Sequence, residues 1–352
     1  MSLEAALRAR IAEAGPITVA EFMAESLLHP QWGYYTNRDP LGTAGDFTTA
    51  PEISQMFGEL VGLALAQAWI DQGAPGRITL AELGPGRGTL MADILRATKQ
   101  VPGFHDALRV HLVEASPTLR EKQRVALAGH AITHHDRTDT LPEAPLFLIA
   151  NEFFDALPIR QFIRAGDNWR ERLVGLDGAA LAFGIGAPDQ PPELAHRSDV
   201  AEGGLVEICP AAMPIMTEIS RRIAAHGGAA LIVDYGDWRS LGDTLQAVQG
   251  HAPVDPLATP GAADLTAHVD FEALARAAQE LATSRLTPQG VFLERLGITP
   301  RAETLAQRLS GPAREAHVAA HRRLTHPDEM GTLFKVLALV PPGAPMLAGL
   351  EK

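Results

Sequence analysis

The amino-acid sequence predicts an α/β protein built on a mostly parallel, doubly wound sheet. Between about residues 78 and 236, short apolar runs alternate with segments of helical periodicity. In two of the runs, apolar residues follow one another without alternating with polar ones: Leu146 to Asn151 and Ala229 to Gly236. This pattern is typical of strands buried on both faces. Strands that alternate with helices pair in parallel, with the helices covering the sheet.

The amino-terminal part of the chain, residues 1–75, is predicted to be a helical lid region. It contains a glycine-rich loop, which is followed by the apolar-periodic run Met56 to Ile70. Pro51 lies just before that run, and proline fits the first turn of a helix because the N–H that it lacks has no helical partner there. We therefore expect the loop to end at a helix start.

The first part of the core is predicted over residues 76–158. Its expected elements, in chain order, are the strand Ile78–Leu83, the helix Leu90–Thr98, the strand Leu108–Glu114, the helix Thr118–Ala128 and the strand Leu146–Asn151. A helix between successive strands is the kind of connection that parallel pairing needs.

An insertion on the acceptor side is predicted over residues 159–227. It contains the segment "RQFIRAGDNWRERLVGL", which predicts a hairpin, and a Pro/Gly-rich segment at 184–204, both outside the central sheet. Residues 228–345 are predicted to complete the core. They include a helix from about Phe271 to Leu281, two further helical patterns between 289 and 325, and the strand-like segment "LFKVLALV".

Composition excludes several classes of protein. Of the 352 residues, 46% are hydrophobic and 20% are charged, which indicates a folded chain rather than a disordered one. Acidic residues outnumber basic ones 42 to 30, and the formal charge of -12 disfavours a broad nucleic-acid interface. No apolar run approaches the roughly 20 residues that a membrane span needs, so we expect no membrane insertion.

The cysteine content and the amino-terminal sequence indicate the cellular compartment in which the protein is located. The single cysteine, Cys209, excludes an intrachain disulfide and a cysteine-cluster metal site. The first fifteen residues include Glu4 and Glu13, unlike a signal peptide or an acid-poor transit peptide. We therefore expect a cytoplasmic protein without a metal, and the oligomeric state stays open.

Residues 82 to 88, "ELGPGRG", form a glycine-rich loop between a predicted strand and a predicted helix. The free N–H groups and the dipole at the start of that helix suit a phosphate or a carboxylate. A dinucleotide site would need a third glycine at Thr89, so that fingerprint fails unless it is relaxed. The loop instead has an acid and three glycines at alternate positions, which resembles motif I of class I S-adenosylmethionine-dependent methyltransferases: Glu82, Gly84, Gly86 and Gly88.

Acids follow the next two strands along the chain. Glu114 ends the segment "VHLVEAS", where a carboxylate can accept both ribose hydroxyls of a nucleoside, as it also could in an NAD site. Asp136 ends "ITHHD" and is in line to reach an adenine amino group. His134 and His135 are adjacent in a strand and point to opposite faces, so they do not indicate a metal site.

The segment "NEFFDALP", residues 151–158, follows a central strand at the edge where ligands bind in such sheets. A protonated arginine, with a pKa of ~13.8, needs carboxylates to orient it and help dispose of its proton. Glu152 and Asp155 are the catalytic candidates, and Asn151 is a candidate for the cofactor. Asp46 and Glu52 are second candidates, for closing over the cofactor. Capping and core packing are the alternative roles.

Further blocks of the sequence extend the resemblance. "GYYTNRDPLGTAGDFTTAPEISQMFGELVG", "AELGPGRGTLMADILR", "HLVEASPTLREKQ", "NEFFDALPIRQF", "GDTLQAV" with "VDPLATPGAADLTAHVDF", and "MGTLFKVLAL" resemble successive blocks of the MidA-type protein family. The resemblance covers roughly residues 16 to 340. That family includes the mitochondrial protein arginine methyltransferase that serves as an assembly factor of respiratory complex I.

The resemblance implies a class I, Rossmann-like methyltransferase core with a mostly parallel seven-stranded sheet. It also implies S-adenosyl-L-methionine as cofactor and a protein arginine as acceptor, with a complex I subunit as the partner of the mitochondrial member. The motif positions carried over are Gly84, Gly86, Gly88 and Glu114 for the cofactor, with Asp46 and Asn151 to Asp155 lining the site.

Our leading hypothesis is a cytoplasmic, bacterial S-adenosyl-L-methionine-dependent protein arginine methyltransferase. Two alternatives are a cofactor-binding assembly chaperone for a respiratory complex and an NAD-dependent oxidoreductase. The identity of the acceptor protein and the degree of methylation are not encoded in any motif of this sequence.

Overall fold

A computed structural model of the protein describes residues 2–37 and 48–352. The helices, in chain order, are α1 (Leu3–Ala14), α2 (Val19–Leu28), α3 (Tyr34–Asn37), α4 (Ala50–Ile53), α5 (Gln55–Asp71), α6 (Thr89–Thr98), α7 (Phe104–Ala107), α8 (Pro117–Ala126), α9 (Ala212–His226), α10 (Phe271–Ala277), α11 (Gln289–Arg295), α12 (Ile298–Ala306) and α13 (Gly311–Thr325).

The strands, in chain order, are β1 (Ile17–Thr18), β2 (Ile78–Leu83), β3 (Leu108–Val113), β4 (Ile132–His135), β5 (Leu146–Asn151), β6 (Arg160–Ala165), β7 (Asn168–Asp177), β8 (Ala180–Asp189), β9 (Leu205–Ile208), β10 (Gly228–Asp237), β11 (Gln246–Gln249), β12 (Ala252–Val254), β13 (Asp264–Thr266), β14 (Val269–Asp270), β15 (Ala282–Thr283), β16 (Thr287–Pro288) and β17 (Phe334–Val340).

The chain divides into two compact units. The first unit comprises Met1–Phe47, Phe154–Met213 and Asp237–Asp270, and the second comprises Thr48–Phe153, Pro214–Gly236 and Phe271–Lys352. This grouping differs from the segments expected from the sequence, because α5 belongs to the second unit and residues 237–270 belong to the first.

A mostly parallel sheet is the centre of the second unit. Its strands follow the order β15-β17-β10-β5-β2-β3-β4. Five of them, from β10 to β4, pair in parallel, and β17 runs antiparallel to β10. This confirms the predicted α/β class with a mostly parallel sheet.

The order of the strands contains a switch point at β2. The chain passes from β2 outward to β3 and β4 on one side, and then returns to place β5 and β10 on the other side. Connections on the two sides of such a point diverge, which leaves a crevice beyond the carboxyl ends of the strands. The loops after β2 and β5 therefore leave the same edge of the sheet next to each other.

Burial explains why the central strands were predictable. Every residue of β2 and of β5 is buried, so neither strand has an exposed face that would produce an alternating pattern. Both strands have the bounds that the sequence predicts. The predicted helix and strand that follow β2 are confirmed to within one residue at each end, as α6 and β3.

The amino-terminal loop ends at a helix start, as predicted. Thr49 has the extended backbone of an N-cap, and Pro51 lies in the first turn of α4. α5 follows directly, with Ser54 as its N-cap, accepting a hydrogen bond from the Met56 N–H.

The first unit has a separate antiparallel sheet. Its order is β1-β7-β6-β9, with β8 paired to β7. The predicted hairpin is confirmed as β6 and β7, which pair antiparallel. The strands β8 and β11 to β13 were not predicted. Leu3, Leu7 and Ile11, which have helical spacing in the sequence, are buried in the core of this unit.

In the described part of the chain, no helix combines the length and the apolar character that crossing a membrane would require.

Candidate functional site

The loop after β2 is a left-handed turn that leads into α6. Gly84, Gly86 and Gly88 all have positive φ, at 60°, 53° and 84°, and a residue with a Cβ pays roughly 1–2 kcal/mol in that region. At Gly84 a Cβ would in addition lie 2.9 Å from Cδ2 of Phe153. The predicted glycines thus occupy positions that the backbone restricts, directly before the first N–H groups of α6, which have no acceptor within the helix.

Glu82 is a buried acid immediately before this loop. It is 3% exposed, and its Oε2 has no hydrogen-bond partner among the described residues. Burial, and then the charge of Glu114, raise the pKa of Glu82 to about 8, while a hydrogen bond from the Met91 backbone opposes the rise. The unpaired oxygen is costly where it stands, and a ligand that supplies a hydrogen bond or a positive charge would relieve that cost.

Glu114 follows β3 and is joined to the glycine loop through Gln123. Its Oε1 accepts a hydrogen bond from the Ser116 N–H at 2.7 Å, and its Oε2 accepts one from Gln123 Nε2 at 3.3 Å. Gln123 Nε2 also donates to the Gly86 carbonyl at 2.8 Å. Burial is the largest cause that raises the pKa of Glu114. A single amide therefore fixes the predicted sugar-binding acid relative to the loop.

Asp136, the acid predicted to reach adenine, lies just after β4. Its side chain is 82% exposed and pairs with Arg120. The Arg120 guanidinium also donates to the backbone carbonyls of Glu114, at 2.7 Å, and His135, at 3.0 Å. Arg120 thus ties the ends of β3 and β4 together, and the role of Asp136 towards a nucleoside stays a prediction.

The two histidines of β4 make separate contacts. His134 Nε2 lies 2.8 Å from Gln123 Oε1. His135 Nε2 instead lies 2.8 Å from His111 Nδ1, and its Nδ1 lies 2.9 Å from Thr140 Oγ1. Their different partners fit the alternation of side chains along a strand.

The chain turns sharply after β5, at Glu152. This residue has φ of 51°, a conformation that is uncommon for residues other than glycine and that clusters at functional sites. Its Oε1 accepts hydrogen bonds from the Ala50 N–H at 3.0 Å and from Asn151 Nδ2 at 3.1 Å. Asn151 Oδ1 is buried and has no partner within the described ranges. Because Phe153 lies against Gly84, this turn and the glycine loop form one site.

The short helix α4 contacts both loops. Its Ala50 N–H donates to Glu152, and its Glu52 Oε1 accepts a hydrogen bond from Thr89 Oγ1 at 2.6 Å. Thr89 is the first residue of α6. Glu52 is therefore placed at the start of the helix that follows the glycine loop. Asp46, the other acid predicted to close over a cofactor, lies outside the described residues.

Asp155 belongs to the first unit, whereas Glu152 belongs to the second. The Ala267 N–H donates to the Asp155 carbonyl at 2.9 Å, and the Tyr35 hydroxyl donates to Asp264 Oδ1 at 2.9 Å. Burial, and then the charges of Asp264 and Asp155, hold the pKa of Tyr35 well above its usual range. A joint role of Glu152 and Asp155 stays a prediction.

The described residues of the second unit fit a nucleoside with a charged amino-acid tail. The amino terminus of α6 suits a carboxylate, because its first N–H groups have no helical acceptor. Glu82 and Asn151 each present a buried oxygen without a partner, which suits an ammonium group or another donor. Glu114 adds a carboxylate that can accept hydrogen bonds from a sugar.

A family model described as "Putative S-adenosyl-L-methionine-dependent methyltransferase" matches residues 60–289. The chain is 40% identical to mouse "Protein arginine methyltransferase NDUFAF7, mitochondrial", over 94% of this chain and 83% of the mouse protein. It is 38% identical to the human protein of the same name, over 94% of this chain and 82% of that protein.

The fold is also similar to a crystal structure of a protein from Burkholderia thailandensis with bound S-adenosyl-homocysteine. The TM-score is 0.83 at 30% sequence identity, over 99% of this chain and 93% of that one. Together with the family match, this structure identifies S-adenosyl-L-methionine as the cofactor. The NAD-dependent alternative is left without support.

Sequence reasoning missed two residues that shape this site, Gln123 and Asp234. Gln123 is fully buried on the same face of α8 as Leu119, and a polar residue four positions after a core leucine is a signal that could have found it. Asp234 is a fully buried acid within the apolar strand β10, where an unexplained charge is itself a signal.

A first prediction concerns the glycine loop. Gly84→Ala and Gly129→Ala both place a Cβ at positive φ, but only at Gly84 does that Cβ meet another residue, Phe153. We expect each variant to lose roughly 1–2 kcal/mol of unfolding free energy from the backbone. Gly84→Ala alone should bind S-adenosyl-homocysteine about tenfold or more weakly, as measured by calorimetry. Equal affinities of the two variants would show that the loop does not contact the cofactor.

A second prediction follows from the raised pKa of Glu82. Its folded-state pKa of about 8 exceeds the ordinary value of 4.5, so folding takes up a proton between those pH values. The resulting stability is present below pH 4.5 and is lost as pH rises towards 8. Glu82→Gln cannot ionise, so without cofactor it should be more stable than the wild type at pH 8, by a few kcal/mol at most, roughly.

The measurement is urea unfolding of both proteins between pH 4.5 and pH 8.5, without cofactor. We expect the difference in unfolding free energy to grow with pH and to level off above pH 8. If the unfolding free energies of the two proteins changed with pH in parallel over this range, the assignment of a neutral, buried Glu82 would be contradicted.

Proposed function

The chain belongs to this family of S-adenosyl-L-methionine-dependent methyltransferases, and we propose that it methylates an arginine side chain of a protein substrate. The relatives that are 36–40% identical over most of this chain bear the name protein arginine methyltransferase. The acceptor class is thus supported by similarity over nearly the full length, and the site must supply a group that binds a guanidinium.

The observation that carries the proposal is the position of the Glu152 carboxylate. It follows the strand next to β2, in the turn that packs Phe153 against Gly84 of the cofactor loop. Its Oε1 is fixed by the Ala50 N–H and by Asn151. A carboxylate held in one orientation beside a cofactor loop is suited to bind the planar N–H donors of an arginine.

Bound S-adenosyl-L-methionine supplies an electrophilic methyl group on a sulfonium. The chain's own residues hold and align the reactants: the glycine loop and the start of α6 would hold the amino-acid tail, and Glu114 would hold the sugar. Glu152 orients the acceptor guanidinium through charge-assisted hydrogen bonds and accepts the proton that the nitrogen must lose. Alignment of this kind is the main source of catalysis for a displacement reaction.

The partner and the compartment belong to the same proposal. We propose a protein acceptor resembling the complex I subunit that is the partner in the mitochondrial branch of the family. We also propose that the reaction occurs in a bacterial cytoplasm, which is supported by the single cysteine of the sequence, Cys209, a half-buried thiol that excludes an intrachain disulfide. Fractionation of cells that carry the native gene would refute the compartment if the protein were recovered outside the cytoplasm.

Glu152→Gln tests the function. Glutamine keeps an oxygen for the Ala50 N–H but removes the charge, so we expect methylarginine formation to fall about 100-fold. The assay uses tritiated S-adenosyl-L-methionine and, as acceptor, the proteins of a strain that lacks the gene. Affinity for S-adenosyl-homocysteine should stay within about threefold, which shows that the cofactor site is intact.

Glu121→Gln serves as the control, because Glu121 is an exposed acid whose side chain is 70% accessible. It should behave as the wild type in both assays. Unchanged methylarginine formation by Glu152→Gln would refute the proposed role. A wild type that binds S-adenosyl-homocysteine but labels no arginine would favour the assembly-chaperone alternative.

A further inference from the structure

A buried carboxylate lies behind the turn that carries Glu152. Asp234, in β10, is fully buried. Its Oδ2 accepts a hydrogen bond from the Phe153 N–H at 3.2 Å, and its Oδ1 accepts one from the Tyr235 N–H at 3.0 Å. Each oxygen of this side chain therefore receives a backbone N–H, one from the turn after β5 and one from its own strand.

The turn itself is held at two successive residues. The Glu152 N–H donates to the Val233 carbonyl at 2.9 Å, and the next N–H, that of Phe153, is the one that Asp234 accepts. Glu152 has φ of 51°. A residue with a side chain persists in this region only where its surroundings over-determine the conformation.

The carboxylate of Glu152 is held from the opposite end. The Ala50 N–H and Asn151 Nδ2 both donate to Oε1. The backbone of Glu152 is thus fixed by β10 and its side chain by the start of α4. The two attachments together restrict the direction of the carboxylate.

We propose that Asp234 is a positioning residue, which holds the strained Glu152 turn so that the Glu152 carboxylate meets the acceptor arginine in one fixed orientation. This inference rests on the proposed function of Glu152. In this role Asp234 acts through the turn that carries Glu152, to which it is joined by the hydrogen bond from the Phe153 N–H.

The requirement for a carboxylate at this position is specific. Both oxygens accept from N–H groups, so an asparagine in place of Asp234 would direct its own NH₂ group at one of the two donors. The buried N–H that faces it would lose its acceptor, which costs roughly 1–3 kcal/mol. Asp234→Asn therefore weakens the hold on the turn while preserving the size and shape of the side chain.

The test is a double-mutant cycle of Asp234→Asn with Glu152→Gln. Asp234→Asn alone should lower kcat for methylarginine formation about 10-fold to 100-fold, with KM for S-adenosyl-L-methionine and the affinity for S-adenosyl-homocysteine within about threefold. In the Glu152→Gln background the same change should have almost no further effect, because the group that Asp234 positions has already been disabled.

Ala50→Pro provides a second approach that leaves the buried strand untouched. It removes the N–H that holds Glu152 Oε1, at the first residue of a helix, where proline is tolerated. Thr49, with φ of -74° and ψ of 162°, already has the extended backbone that a following proline requires. Gln55→Pro, at the first residue of α5, is the control for a proline at a helix start. Ala50 is buried whereas Gln55 is exposed, so the unfolding free energy of both variants is measured as well. We expect Ala50→Pro to lower kcat through Glu152 and Gln55→Pro to leave it unchanged.

Additive losses in the cycle would overturn the inference, because Asp234 would then contribute independently of Glu152. An unchanged kcat in Asp234→Asn would overturn it as well. If Asp234→Asn does not fold, hydrogen exchange of the Phe153 amide in the wild type decides, because that N–H is the one Asp234 accepts. An amide that exchanges as fast as an exposed one counts against the inference. A wild type that forms no methylarginine overturns the proposed function instead, which separates the two failures.

Discussion

The site depends on one constraint, the pairing of β2 with β3 on one side and β5 on the other. Parallel strands end at a common edge, so their following loops are neighbours even though Asn151 lies 68 positions after Leu83. The chain leaves β2 and β5 towards different parts of the structure, which opens a crevice between the two loops. The ring of Phe153 lies against Gly84, so the two loops are in contact there. A larger residue at Gly84 would disturb both loops together.

Several features inside this crevice lower the stability of the protein when no cofactor is bound. Burial and the charge of Glu114 disfavour ionisation of Glu82, and burial disfavours ionisation of Glu114 itself. Glu152 has a strained backbone, and Asn151 Oδ1 has no partner among the described residues. Each feature is unfavourable in an empty site and useful in an occupied one. A ligand that neutralises the acids and supplies donors therefore stabilises the fold as it binds, by mass action.

The sequence predicted those parts of the fold and site that local pattern determines. β2 and β5 were found with their bounds, because strands buried on both faces produce continuous apolar runs. The glycine loop was found because positive φ leaves few choices of residue. Both predictions depend only on the local sequence and not on the residues that the segment packs against.

The parts that sequence reasoning missed depend on partners remote in the chain. Gln123 matters because it bridges Gly86 and Glu114, and Asp234 matters because it accepts the Phe153 N–H across 81 residues. Short strands such as β12 have only three residues, which are too few to show an alternating pattern. Glu152 and Asp155 were treated as a pair because they are close in sequence, yet the chain passes from one compact unit to the other between them.

Cofactor binding depends mainly on local sequence, whereas acceptor binding depends on residues that are remote from one another in the chain. The glycine loop offers a ligand mainly backbone N–H groups and positions without side chains, so a short motif was enough to predict its ligand class. In the proposed function, the acceptor is recognised by a side chain, that of Glu152, whose direction is set by other residues, Asp234 and Ala50. Those residues lie in β10 and α4. Specificity for the acceptor can therefore change through substitutions that leave every glycine of the loop in place, and two proteins with the same loop need not share a substrate.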